Sequence, residues 1–154
     1  MYDHIGYNMK PLDVQAAMGV VQLDKLDEFL MIRKRNYNSL YSHIKDNYSD
    51  YFHLPEFKGK SSHFCLPLVI KDGIKRKELL KHLESHGIST RLMFGGNIMR
   101  QPAYEEIRGS IRVCGNLINA DKVTYDGFFL GVYPGINEEK IQYVKDVLDK
   151  FMVG

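Results

Sequence analysis

Residues 64–97 read Phe64-Cys65-Leu66-Pro67-Leu68-Val69-Ile70-Lys71-Asp72-Gly73-Ile74-Lys75-Arg76-Lys77-Glu78-Leu79-Leu80-Lys81-His82-Leu83-Glu84-Ser85-His86-Gly87-Ile88-Ser89-Thr90-Arg91-Leu92-Met93-Phe94-Gly95-Gly96-Asn97. Phe64, Leu66, Leu68 and Ile70 alternate with Cys65, Pro67 and Val69, which predicts a strand buried on both faces or nearly so. Pro67 has no N–H to give, so it places that strand at an edge or near a strand start. Asp72-Gly73 is a turn. Lys75–His86 carries Leu79, Leu80 and Leu83 on one face, which predicts a short helix, with Gly87 suited to its C-terminal cap. Ile88, Thr90, Leu92 and Phe94 then alternate with Ser89, Arg91 and Met93, a second strand that Gly95-Gly96-Asn97 breaks. This strand–helix–strand unit makes the chain a mixed α and β protein.

Outward from that unit the pattern continues on both sides. Over residues 11–44, Leu12, Ala16, Gly19, Leu23, Leu26, Leu30, Tyr37, Leu40 and Ile44 follow a three-four spacing, with Arg33 the one charged member. One unusually long amphipathic helix is expected, Pro11 fitting its first turn. Residues 45–63 read as loop. Downstream, residues 98–115 are irregular, with a helical turn expected at Ala103–Ile107. A helix is expected over Asn116–Tyr125 and a strand over Phe128–Tyr133, ending at Pro134-Gly135. Asn137 caps a last helix with Ile141, Val144, Leu148 and Phe151 inward. Glu138 and Glu139 sit at its positive end and Lys150 near its negative end. Three short strands and helices on one side give an α+β layer.

Composition narrows the function classes. The 154 residues suit one domain with a real core, and 44% hydrophobic with 26% charged residues is ordinary for a globular chain. Lys plus Arg is 21 and Asp plus Glu 19, a net charge of +2. That excess gives no nucleic-acid or polybasic membrane signal. No apolar run reaches the roughly 18 residues a membrane span needs. Met1-Tyr2-Asp3-His4-Ile5-Gly6 lacks the basic start and apolar run of a signal peptide, and the chain reads as beginning in the middle of something. Cys65 and Cys114 form no C-x-x-C pair, so reduced thiols in a cytoplasmic protein are expected.

Several chemistries find no motif: no phosphate loop, no G-x-G-x-x-G and no G-x-S-x-G elbow occurs. His82 and His86 lie four apart on a helix but lack an acidic third ligand, so a solvated face is expected and no metal site. Two cysteines do not hold an iron–sulfur cluster. Three stretches look out of place for structure alone. Gly6-Tyr7-Asn8-Met9-Lys10 offers an amide and an ammonium suited to a phosphate, though an Asn in a turn reads as well. Thr90-Arg91, Gly95-Gly96-Asn97 and Arg100-Gln101-Pro102 suit close backbone approach to an anionic ligand, or a plain turn with surface arginines. Gly131-Val132-Tyr133-Pro134-Gly135 is a buried strand entering a tight turn.

Taken together these stretches resemble a known family. Gly6-Tyr7-Asn8-Met9-Lys10-Pro11-Leu12-Asp13-Val14-Gln15-Ala16-Ala17 is similar to the G-Y-N-x-[KR]-x-x-D-x-Q-A-A signature of the DegT-type sugar aminotransferases and dehydratases, fold type I enzymes of the pyridoxal-phosphate kind. Gln22–Phe29 continues the match. The resemblance covers essentially this whole chain but only the C-terminal two-fifths of a family member. Thr90–Asn97 followed by Arg100-Gln101-Pro102-Ala103-Tyr104 resembles the nucleotide-sugar 3-dehydratase branch, as do Arg112–Asn116 and Phe129–Gly135. Aminotransferases of the family usually carry His where Met93 stands and Pro-Leu-His in the Gly-Gly-Asn region.

The resemblance implies a fold and a reaction. The fold is the C-terminal small domain of a fold type I transferase: a long N-terminal helix and a short, mainly antiparallel sheet with helices on one face. The reaction uses pyridoxamine phosphate to remove the C3 hydroxyl of a CDP- or GDP-linked 4-keto-6-deoxyhexose, with the cofactor ring as electron sink, for dideoxysugars of lipopolysaccharide O-antigen. The enzymes hold His where aminotransferases hold Lys. CDP-sugar members add an iron–sulfur cluster and a reductase partner. Those groups lie upstream of the Gly-Tyr-Asn motif, so no catalytic residue carries over. The large cofactor-binding domain is expected to be absent from this chain, and the chain alone to be inactive.

Asn8 matches the residue that reaches the cofactor phosphate across a homodimer, and Lys10 a basic position near it. Arg91, Phe94, Asn97 and Arg100 match the segment facing the active-site mouth and are expected to bind substrate. A sugar aminotransferase domain and a non-catalytic binding module remain the alternatives. A severed domain is expected to expose the apolar surface that met its missing partner.

Overall fold

The computed structural model describes residues 11–57, 59 and 61–154. Helix α1 spans Asp13–Asp24 and helix α2 Leu26–Tyr48. The single helix expected over 11–44 is thus two. Lys25 leaves helical geometry at φ −95° and ψ −2°, and its N–H turns back to the Gln22 carbonyl at 3.2 Å. Neither Pro nor Gly marks the break. The second half of the expected stripe packs as read: Tyr37, Leu40 and Ile44 are buried. The first half does not. No residue of α1 is buried, and Val14, Met18, Val20, Val21 and Leu23 are all exposed. Helical spacing shows which residues share a face, not what covers it.

Four strands follow where three were expected: β1 Phe52–His53, β2 Cys65–Ile70, β3 Thr90–Leu92 and β4 Gly127–Gly131. They form one sheet in the order β1-β2-β4-β3, antiparallel throughout. Strand β2 lies inside the sheet, yet β1 pairs only with Val69 and Ile70, so Pro67 sits where that edge is uncovered. Helix α3 is Arg76–Ser85, and Gly87 takes φ +75° just beyond it. Helix α4 is Ile118–Asp126 and α5 is Glu138–Val153. Short 3-10 turns occupy Ile98–Arg100, Pro102–Tyr104 and Arg108–Ser110.

The sheet has two unlike faces. Leu66, Leu68 and Ile70 of β2 stand beside Phe128 and Leu130 of β4 and meet Leu40 and Ile44 of α2, Leu79 and Leu83 of α3, and Ile141, Val147 and Leu148 of α5. That is the core. Helix α4 contributes nothing to it. Val147 takes an inward place, while Val144 and Phe151 lie at the margin. The opposite face carries Cys65, Pro67, Arg91 and Phe129 and has no comparable helix layer. Helices α2, α3 and α5 therefore gather on one face, as read, while α4 lies against β2 and β4 outside that core.

Polar clamps tie α5 to α2. Asn36 is 1% exposed and donates from Nδ2 to the carbonyls of Ile136 (2.9 Å) and Tyr133 (3.2 Å), fixing the turn into α5. Asn137 caps α5 by accepting from the Lys140 N–H at 3.0 Å. Near the other end, Tyr48 Oη donates to Asp149 Oδ1 at 2.7 Å, and His43 Nε2 lies 2.7 Å from the same oxygen.

Burial, and then the bond to Asp149, push the Tyr48 phenol up to about 12. Burial likewise pushes Tyr37 to about 12. Both folded-state values exceed the unfolded value of about 10, so this stability is complete below pH 10 and lost as pH rises through 12. Urea midpoints are expected to fall across that window, less steeply in Tyr48→Phe. Equal slopes in the two proteins would contradict this.

Candidate functional site

The open face of the sheet leads to an unusual turn. Arg91 is exposed on β3 and pairs in register with Phe129 of β4. Two residues past the strand, Phe94 takes φ +48°, a conformation that disfavours a bulky side chain. It is also 79% exposed. Its ring lies 5.7 Å from that of Phe129, which in turn lies 6.0 Å from Phe64. Phe129 is only 8% exposed and forms the floor beneath two solvent-facing rings. An exposed aromatic in a strained backbone beside an arginine is the kind of feature that marks a ligand site.

The turn after Phe94 is held from α4. Gly96 sits at φ +56°, where a Cβ would fall 2.5 Å from Thr124 Oγ1. Only glycine lets α4 come this close. The N–H of Asn97 donates to Thr124 Oγ1 at 2.6 Å, and Thr124 donates on to the Ala120 carbonyl at 2.6 Å. The Asn97 side chain is buried, at 4% exposure for the residue. Its Nδ2 donates to Asp121 Oδ1 (2.7 Å) and its Oδ1 accepts from Met99 N–H (3.0 Å), capping the short turn. Arg100 grips the same carboxylate twice, Nε to Oδ1 at 3.1 Å and Nη2 to Oδ2 at 2.9 Å. Arg100, and then Asn97, hold the Asp121 carboxyl below the usual carboxylate range. Gln101 Nε2 donates to the Gly95 carbonyl at 2.6 Å. From α3, Arg76 Nη1 donates to the carbonyls of Thr124 (2.8 Å) and Gly127 (3.0 Å), steadying the end of α4.

The structure thus brings together four residues singled out in the sequence but gives them different positions. Arg91 and Phe94 face solvent. Asn97 is turned inward with its amide fully engaged. Arg100 is exposed but paired. Asn8 and Lys10 lie outside the described residues. His82 and His86 have rings 4.4 Å apart. His82 is half-buried rather than solvated, with Nε2 3.1 Å from the Val147 carbonyl and its ring near Phe151, while His86 is exposed. Among the described residues no three His, Cys, Asp or Glu side chains gather as a metal site. Cys65 and Cys114 are free thiols, the first raised by burial. No helix among the described residues is long and apolar enough to cross a membrane.

Asp121, Thr124 and Arg76 were not singled out in the sequence. Polar residues on short helices read there as a solvated face, and their only signal was the Gly-Gly pair that needed a close neighbour.

A four-stranded antiparallel sheet with helices on one face and a loaded turn on the other is the architecture of a pyridoxal-phosphate-type transferase small domain. The chain belongs to the DegT/DnrJ/EryC1/StrS aminotransferase family, whose model matches residues 1–149. It is 38% identical over 154 residues to the lipopolysaccharide biosynthesis protein RfbH of Salmonella typhimurium, covering 97% of this chain and 35% of that one. It is 37% identical over 161 residues to the dTDP-4-dehydro-2,6-dideoxy-D-glucose 3-dehydratase of Saccharopolyspora spinosa, covering 98% and 33%. A crystal structure of GDP-4-keto-6-deoxymannose-3-dehydratase, with a trapped PLP-glutamate geminal diamine, superposes with a TM-score of 0.82 at 30% identity. That match covers 96% of this chain and 38% of the other. The chain spans little more than a third of the relatives it matches.

Proposed function

We propose that this chain is the C-terminal domain of a nucleotide-sugar 3-dehydratase, with its cofactor-binding domain outside the 154 residues. The observation that carries the reading is the near-full-length similarity to two proteins named as 3-dehydratases. The exposed Arg91–Phe94 corner is the chemistry such a domain would need. Arg91 offers a guanidinium to a diphosphate, and Phe94, backed by Phe129, offers a flat apolar surface to a base or sugar ring. Asn97 and Arg100 shape the turn that carries them. The relatives' names include GDP- and dTDP-linked sugars, so dTDP joins the CDP and GDP of the sequence reading.

Pyridoxamine or pyridoxal phosphate, bound in the complete enzyme, would supply the electron sink, with Asn8 and Lys10 as this chain's contributions to holding its phosphate. The apolar helix α1 and the open sheet face are the surfaces by which the domain would meet the cofactor-binding domain and a second subunit. Cytoplasmic sugar-nucleotide synthesis for a surface polysaccharide is the setting, with a reductase partner in the CDP-sugar case.

A chimera tests this. The matching 38% of GDP-4-keto-6-deoxymannose-3-dehydratase is replaced by this chain. The chimera is expected to remove the C3 hydroxyl, and Arg91→Ala or Phe94→Ala to cut kcat/KM at least about tenfold, equal to about 1.4 kcal/mol of transition-state binding. A folded chimera that holds the cofactor but does not turn over the GDP-linked sugar would count against the reading. One in which neither substitution matters would remove the assigned corner.

A further inference from the structure

We propose that Asp121 is the positioning residue of the 94–100 turn, fixing from α4 the conformation in which Phe94 is presented beside Arg91. The effect on ligand binding rests on the nucleotide-sugar reading above; the effect on conformation does not.

Nothing at Phe94 itself explains its backbone. The residue is exposed, its φ is +48°, and its ring meets Phe129 on one side only. Its amide turns back to the Leu92 carbonyl at 2.7 Å around Met93, a turn common at strand ends, which leaves the positive φ of Phe94 itself without local support. That support comes after it in sequence. Gly96 N–H returns to the Met93 carbonyl at 2.9 Å, and Asn97 is then gripped at both its backbone and its side chain by α4. Asp121 and Thr124 stand three apart on that helix and so face the turn together.

One carboxylate ties Asn97 to Arg100, the second half of the turn. Its Oδ1 accepts from Asn97 and from Arg100 Nε, and its Oδ2 from Arg100 Nη2. Both oxygens are occupied, so Asp121 acts through the turn and not on a ligand. The second described non-glycine residue at positive φ, Leu117 (φ +56°), lies at the other end of this arrangement. Its carbonyl accepts the Asp121 N–H at 2.9 Å. The charged or titratable groups around it are Arg100, Tyr125 beside Arg100, and Arg76 at the end of α4. Lys122 pairs with Asp126 further along the same helix.

The test is solution NMR on the purified 154-residue chain. In the unmodified chain the Phe94 ring signals and the Asn97 and Met99 amides are expected to follow one shared acid titration. It falls below the usual carboxylate range, with Phe128 in the core unmoved. In Asp121→Asn that titration disappears, Phe94 loses the coupling constant of positive φ, and the Asn97 amide exchanges at least tenfold faster, again with Phe128 unmoved. In Arg100→Gln, which keeps the carboxylate, the titration persists but moves upward, the Phe94 coupling and Asn97 exchange change to a smaller degree, and this variant serves if Asp121→Asn does not fold.

In the chimera described above, Asp121→Asn is expected to bind a GDP-linked hexose at least tenfold more weakly than the unmodified chimera. Unchanged Phe94 coupling and amide exchange in the variants would overturn the positioning role. Altered Phe94 geometry with unchanged hexose affinity in the chimera would uphold that role and reject the nucleotide-sugar reading of the corner.

Discussion

Asn36→Leu lowers the free energy of unfolding by about 3 kcal/mol. The residue is almost fully buried, and its single amide satisfies the carbonyls of Tyr133 and Ile136. Leucine fits the volume but leaves the Ile136 carbonyl without a donor, at about 2 kcal/mol, and takes one of two donors from the Tyr133 carbonyl, which keeps the Ile136 N–H at 3.0 Å, at about 1 kcal/mol. At this chain length the loss corresponds to a melting temperature lower by about 6–12 °C. The turn Tyr133–Ile136 is the only covalent path from β4 into α5, so the defect also loosens the register of α5 on α2. Urea denaturation checks the value. A loss below about 1 kcal/mol would mean that water replaces the amide.

Phe128→Ala costs about 4 kcal/mol. The side chain is fully buried, in edge contact with Phe52 at 6.4 Å between ring centres, and faces all three core helices. A Phe-to-Ala change in such a site removes both transfer energy and packing, typically 3–5 kcal/mol. The neighbouring Phe129→Ala is expected to cost much less stability, because its ring points to the open face, where the void can drain to solvent. It removes the floor under Phe94 and Phe64 instead. Paired denaturation curves with unchanged m-values decide this. Equal losses at the two positions would mean that the two faces of β4 are packed alike.

The contrast between those adjacent residues explains what could be read beforehand. Strand β2 was legible because Leu66, Leu68 and Ile70 repeat at the period of a sheet, and α5 because a capping Asn137 precedes a clear apolar stripe. Strand β1 was not, since two residues carry no period. The break at Lys25 was not, since its residues favour helix and only the chain's path ends α1. The exposed side chains of α1 show the same limit from the other side: a periodic face is legible as a face, and the period does not say what covers it.

At the candidate site, Arg91 stood out because a strand ends there in a Gly pair with flanking arginines, whereas Phe94 came only from the resemblance of its segment. Asn97 was read for its position, but its inward direction depends on Asp121, 24 residues away, and no local pattern encodes that. Asn36 was hidden for a similar reason. A polar residue next to an apolar stripe reads as surface, and its two acceptors lie about a hundred residues downstream.

The two-sided sheet has a consequence for how this chain can vary. In β2 and β4, even-numbered positions 66, 68, 70, 128 and 130 answer to the helices, while Cys65, Pro67 and Phe129 answer to whatever meets the other face. A single strand thus carries two interleaved messages, one about persistence and one about recognition. Changes at alternate letters can rewrite the second without touching the first. Lineages could exchange whatever meets the open face on an unaltered scaffold, with the helix layer acting as a constant and the open face as the variable.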